Sequence, residues 1–143
     1  MSTRHRAREY VLKALYALEQ GGQTKDEIRS SIIEESGLDE GGLIFSQRLF
    51  ALVCANLKDI DARIIRLATN WTLERIAIVD KNILRMAICE AEYMPDIPLK
   101  VAINEAIELA KKYSTIDSAS FVNGILDRVL HEKQVCVNEE RGE

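Results

Sequence analysis

Apolar positions recur every three or four residues along nearly the whole chain, which is the pattern of amphipathic helices. Ala7, Tyr10, Val11, Ala14, Leu15 and Leu18 form a first stripe, and Gly21-Gly22 terminates it. Thr24 with Glu27 predicts a capping box opening a shorter helix through Ile28, Ile32 and Ile33. Gly37 and the run Asp39 to Gly42 read as a flexible acidic loop. A long helical stretch follows from about Leu43 to Ala68, bending or breaking near Lys58-Asp59. Asn56 sits on its apolar face with Leu49, Leu52, Val53, Ile60, Ile64 and Leu67, and needs a hydrogen-bond partner if buried.

Trp71-Thr72 opens a second half, with Thr72 the expected N-cap of a helical pattern from Leu73 to Tyr93. The apolar arc there is wide, including Ile76, Val79, Ile83, Leu84, Met86, Ala87 and Ile88, so this helix belongs at the centre. Pro95 and Pro98 end it and start the next, which runs from Val101 to Tyr113. A polar turn, "STIDS", leads into a last helix from about Ser118 to Glu132, with Asp117 its simplest N-cap. Nothing alternates at period two. The expected fold is all-α, a compact bundle of about seven helices in two helical subdomains. Residues 1–70 and 71–133 form these, joined near Asn70, and residues 134–143 are expected to be a frayed acidic tail.

Charge changes this picture at one end. The chain has 143 residues and a formal net charge of −4. Yet its first thirteen residues set Arg4, Arg6, Arg8 and Lys13 against Glu9 alone. A basic end on an acidic body points to a polyanion for one face, with the acidic remainder open to a basic protein. The three cysteines, Cys54, Cys89 and Cys136, are widely spaced without a CxxC, which favours a reducing compartment. No leader-like apolar core follows the arginines, and no run approaches the ~20 apolar residues that span a bilayer. A cytoplasmic protein with no membrane association is expected.

Chemistry for catalysis is scarce. His5 and His131 stand at opposite ends of the chain, and no glycine-rich phosphate loop, HExxH or Cys/His metal spacing occurs. No enzymatic activity, cofactor or metal is expected. On a helical wheel Arg6 and Lys13 face away from the apolar stripe, Arg8 lies on its flank and Arg4 near the entry. These arginines are either a solvated helix end or a fork-shaped set of phosphate contacts. Cations at a helix N-terminus oppose the macrodipole, which costs a few tenths of a kcal/mol. The second unusual stretch is "DSASFVNG", Asp117 to Gly124. Phe121 lies at the edge of an apolar stripe, as core rim or as a platform for a base. Asn123-Gly124 is costly inside a helix, and either close helix packing or backbone access for a ligand accounts for it. The Asp117 carboxylate caps the helix or accepts a base amino group.

The runs "VAINEAIELAKKYSTIDSASFVNGILDRVL", "IAIVDKNILRMAICEAEYMPDIP" and "RAREYVLKALYALEQ" closely resemble the NusB family of bacterial transcription antitermination factors. That resemblance implies an all-helical, non-enzymatic RNA-binding factor that takes boxA-type single-stranded RNA as a heterodimer with the ribosomal protein NusE. The complex would help RNA polymerase read through terminators in ribosomal RNA synthesis. The RNA surface implied is Arg4, His5, Arg6 and Arg8, with Lys13 beside them, continuing to Asp117, Phe121 and Asn123. The NusE-facing positions implied are Asp80, with Glu74, Arg85 and Glu92. His5 interrupts a cluster that is often denser in arginine. NusB-like domains also occur fused to an RNA cytosine methyltransferase, for which these residues leave no room, so a stand-alone factor is expected. The competing expectation is a helical protein–protein adaptor or homodimer with weak RNA binding, and the free oligomeric state stays open.

Overall fold

The computed structural model describes residues 3–69 and 71–140, with side chains up to residue 136. Seven α-helices and no strand occur among the described residues: α1 (Thr3–Gln20), α2 (Lys25–Ile28), α3 (Glu40–Ala55), α4 (Leu57–Leu67), α5 (Ile78–Tyr93), α6 (Leu99–Tyr113) and α7 (Ile116–Glu140). The expected joint at Asn70 lies outside the described residues, as do residues 141–143. None of the described helices is long and apolar enough to cross a membrane.

α5 is the hub. Every residue from Asn82 to Glu90 is buried, and the helix packs against α1, α3, α4, α6 and α7. One core cluster, from Ala7 on α1 to Val129 on α7, runs through both halves of the chain. The wide apolar arc of α5 therefore has a cause: a helix covered on all sides is apolar over most of its circumference, and its buried Asn82, Arg85 and Glu90 are each hydrogen-bonded. Cys89 sits in that core, where burial first, and Glu90 second, push its thiol up to about 12.

Local chemistry sets the boundaries, several of them away from the expected places. The capping box at Thr24 and Glu27 forms with both hydrogen bonds at 3.1 Å. The helix it opens widens at once into a π-turn over Arg29–Glu34. Asp39 to Gly42 is no loop: the Asp39 carboxylate accepts the Gly42 N–H at 2.8 Å and starts α3. The long stretch breaks at Asn56, not at Lys58-Asp59, and the Asn56 amide donates to the Leu52 carbonyl at 2.8 Å, closing α3. Thr72 caps nothing with its side chain, since Leu73–Arg75 form a 3₁₀ turn and α5 begins only at Ile78. Asp117 is also not the cap of α7. Thr115 takes that place, its hydroxyl accepting the Ser118 N–H at 3.0 Å. α7 continues through residues 134–140, where fraying was expected, because each added residue extends a formed helix without new nucleation.

Candidate nucleic-acid interface

The arm is built where three helices meet. Thr3 donates to Asp39 at 2.9 Å, tying the start of α1 to the start of α3. The two backbones approach so closely that a Cβ on Gly42 would lie 2.7 Å from the Thr3 methyl, so a side chain there cannot fit unaltered. Together the Gly42 N–H, first, and the Thr3 hydroxyl hold the Asp39 carboxyl below its ordinary pKa. Arg4 is exposed and lies over the Phe45 ring, 5.1 Å from its centroid. Arg6 and Lys13 are exposed, with the Lys13 ammonium 4.7 Å from the Tyr10 ring.

Arg8 corrects the sequence reading. The helical wheel sets it on the flank of α1 and the family resemblance implies an RNA contact, but only 2% of it is exposed. Its guanidinium forks onto Glu90 of α5, with Nε 3.0 Å from Oε2 and Nη2 2.6 Å from Oε1. A buried carboxylate demands a charged partner, and the flank position brings Arg8 within reach of one. His5 is likewise engaged, its Nδ1 2.6 Å from Glu105 of α6 and its Nε2 3.9 Å from Glu9. Glu9 accepts from the Lys112 ammonium at 2.5 Å and from the Tyr113 hydroxyl. Burial works to raise the Glu9 pKa, but these two hydrogen bonds and the Lys112 charge outweigh it and lower the value. Lys112 is thereby held, still exposed, between the arm and the start of α7.

At the start of α7 a cleft of about 230 Å³ opens between that helix and the 3₁₀ turn. Trp71, Arg75, Asp80, Asp117 and Phe121 line it. Phe121 is half-buried and meets Trp71 edge-to-face, with ring centroids 6.2 Å apart and planes at 71°. With Thr115 serving as cap, the exposed Asp117 carboxylate is left to the cleft. Asn123 is exposed but about 200° round the helix from Phe121, so the two do not converge.

The four positions expected to face a protein partner divide. Glu74 is exposed, and Glu92 is exposed beside Arg63 and Lys133. Asp80 and Arg85 are interior, 5% and 8% exposed, and a surface role for either is corrected by that burial. Ser118 donates to Asp80 Oδ2 at 2.7 Å, while Oδ1 has no hydrogen-bond partner among the described residues. Arg85 forks onto Asp61 at 2.7 and 2.8 Å and reaches Glu19 at 2.5 Å. Burial works to lower its pKa, but Asp61 and then Glu19 raise it.

Residue-by-residue reading missed Trp71 and Lys112 as parts of this surface. The signal for Trp71 was present: it is the single tryptophan, it stands outside every apolar stripe, and it is 50% exposed. Lys112 gave none, because its partner Glu9 lies on another helix.

Residues 5–131 match the sequence model of the NusB family. The transcription antitermination protein NusB of Chloroherpeton thalassium is 44% identical over 131 residues, or 91% of this chain. The chain spans 62% of that relative's length. Among solved structures, NusB of T. maritima superposes with a TM-score of 0.83 at 40% identity, covering 90% of this chain and 91% of that one. A structure of antitermination factors NusB and NusE in complex with double-stranded RNA superposes with a TM-score of 0.81. It covers 90% of this chain and 96% of that one, and at 22% identity it speaks for the fold alone.

Proposed function

The chain belongs to the NusB family, and on that premise we propose that it is a non-enzymatic antitermination factor binding boxA-type single-stranded RNA together with NusE. In this reading it acts in the cytoplasm within the RNA polymerase antitermination complex. The observation that carries it is the cleft at the start of α7, where an aromatic pair stands beside a carboxylate that the helix does not need as a cap. Single-stranded RNA is read by stacking unpaired bases and hydrogen-bonding their edges. Phe121 is the stacking platform and Asp117 accepts an N–H from a base edge. Arg4, Arg6 and Lys13 supply phosphate contacts from α1, and Lys112 links them to the cleft. Three such contacts give a salt slope of about −2 on a single strand. That is modest, and a partner adding RNA surface complements it. Glu74 and Glu92 are the exposed acids offered to basic NusE.

A second reading, an adaptor or homodimer with weak RNA binding, draws on the arm, where Arg8 is enclosed and His5 is engaged by Glu105. Titration of boxA RNA with and without NusE, at two salt concentrations, separates the readings. Tight, salt-sensitive ternary binding that survives double-stranded competitor supports the first. Absence of binding even with NusE supports the second. Phe121→Ala is expected to weaken RNA binding by about 1–3 kcal/mol with little change in helicity. A large stability loss with intact RNA affinity would make Phe121 a rim residue of the core.

A further inference from the structure

We infer that Trp71, Phe121 and Gly124 form a second base site beside the Asp117 cleft, so that α7 seats two consecutive nucleotides of one RNA strand. This rests on the RNA-binding reading above and extends it. A separate cleft of about 210 Å³ lies on the other side of the same aromatic pair, between α7 and the end of α4, with Leu67, Thr69, Gly124 and Arg128 in its walls. An edge-to-face pair uses one ring face only, so it leaves faces open for further stacking.

Gly124 is the independent observation. It is exposed in the interior of α7, where glycine disfavours the helix relative to alanine. Its backbone is not in the left-handed region, and a Cβ built on it would meet nothing within 4 Å. Neither conformation nor packing among the described residues calls for glycine here. What the missing side chain does is clear the mouth of the second cleft, where a planar group would approach the helix.

The two clefts also differ in chemistry. The first offers the exposed Asp117 carboxylate, suited to an N–H on a base edge, with Arg75 also in its wall. In the second, the Arg128 guanidinium donates to the Leu67 carbonyl and is exposed at the rim, suited to a base carbonyl or a phosphate. Asp117, Phe121, Gly124 and Arg128 fall within about 60° on the helical wheel, along about 16 Å of α7. They form one continuous track for a single strand.

The test uses the full chain with NusE and boxA RNA shortened one nucleotide at a time from either end. Gly124→Gln fills the mouth with a good helix former, so the variant is expected to unfold no more easily than the parent. It should weaken full-length RNA about fivefold or more, the loss of one stacked base. It should leave affinity unchanged for the RNA shortened by the nucleotide that the second cleft holds. Emission from Trp71, the single tryptophan of the chain, should be quenched more by the full-length RNA than by the RNA shortened by that nucleotide. Equal affinities of parent and Gly124→Gln for every RNA, with Phe121→Ala still weakened, overturn the second site and leave the proposed function standing. So does equal quenching of Trp71 emission by the full-length and the shortened RNA. Absence of RNA binding by the parent overturns both.

Discussion

The arm on α1 and the cleft on α7 are the two ends of one proposed RNA surface, and they are built in opposite ways. The arm is rich in charge, but the fold itself engages much of it: Arg8 on Glu90, His5 on Glu105, Arg4 over Phe45. The cleft has few groups, yet those groups are left over from folding. Phe121 stays half-exposed, Asp117 is relieved of capping by Thr115, and Gly124 has open space where a side chain would stand. Charge counted along a sequence therefore overstates what an arm offers to phosphate, because some of it is neutralised across the core.

The sharpest break of this comparison is Arg8→Ala. Removing one partner of a buried ion pair leaves Glu90 charged and enclosed, at a cost of about 3–5 kcal/mol. Thermal unfolding should fall by on the order of 10 °C. An unchanged melting temperature with lost RNA affinity would move Arg8 to the phosphate side of the comparison.

Glu9→Gln is next. It removes the charge that Lys112 and Tyr113 bond, and a charge-assisted hydrogen bond contributes about 1.5–3 kcal/mol. The Glu9 pKa is lowered in the folded state from an ordinary 4.5, so its contribution is complete above about pH 4.5. It is lost as pH falls through the lower folded value. Melting curves of parent and variant should thus differ at pH 7 and converge as pH falls through the lowered Glu9 value, and a difference that persists in acid would show that Glu9 acts by packing alone.

Arg6→Ala has the smallest effect. Stability should stay within about 0.5 kcal/mol, while the salt slope of RNA binding flattens by about 0.7. An unchanged slope would take Arg6 out of the arm.

Helix existence was legible from periodicity because each stripe is a local property. The capping box at Thr24 and the central place of α5 were legible for the same reason. Partners across the core were not. Glu90 lies 82 positions from Arg8, and nothing near either residue announces the other. The cap of α7 was ambiguous on chemical grounds, since Thr115, Asp117 and Ser118 are all capable caps within four residues. Asp39 to Gly42 carried every local sign of a loop. Its glycines are helical because Asp39 caps them and Thr3 lies against Gly42. At the candidate site, Phe121 and Asp117 could be singled out by type and spacing. Burial of Asp80 and Arg85 could not, because it depends on how α5 is covered.

The Arg8–Glu90 pair also acts as an indexing pin for α1. Successive residues turn about 100° around a helix, so any rotation that released Arg8 would carry Arg6 and Lys13 away from their outward setting. A fork of hydrogen bonds with fixed geometry resists that rotation in a way that greasy packing does not. Which arginines face the solvent is thus decided from inside the protein, by the one that does not.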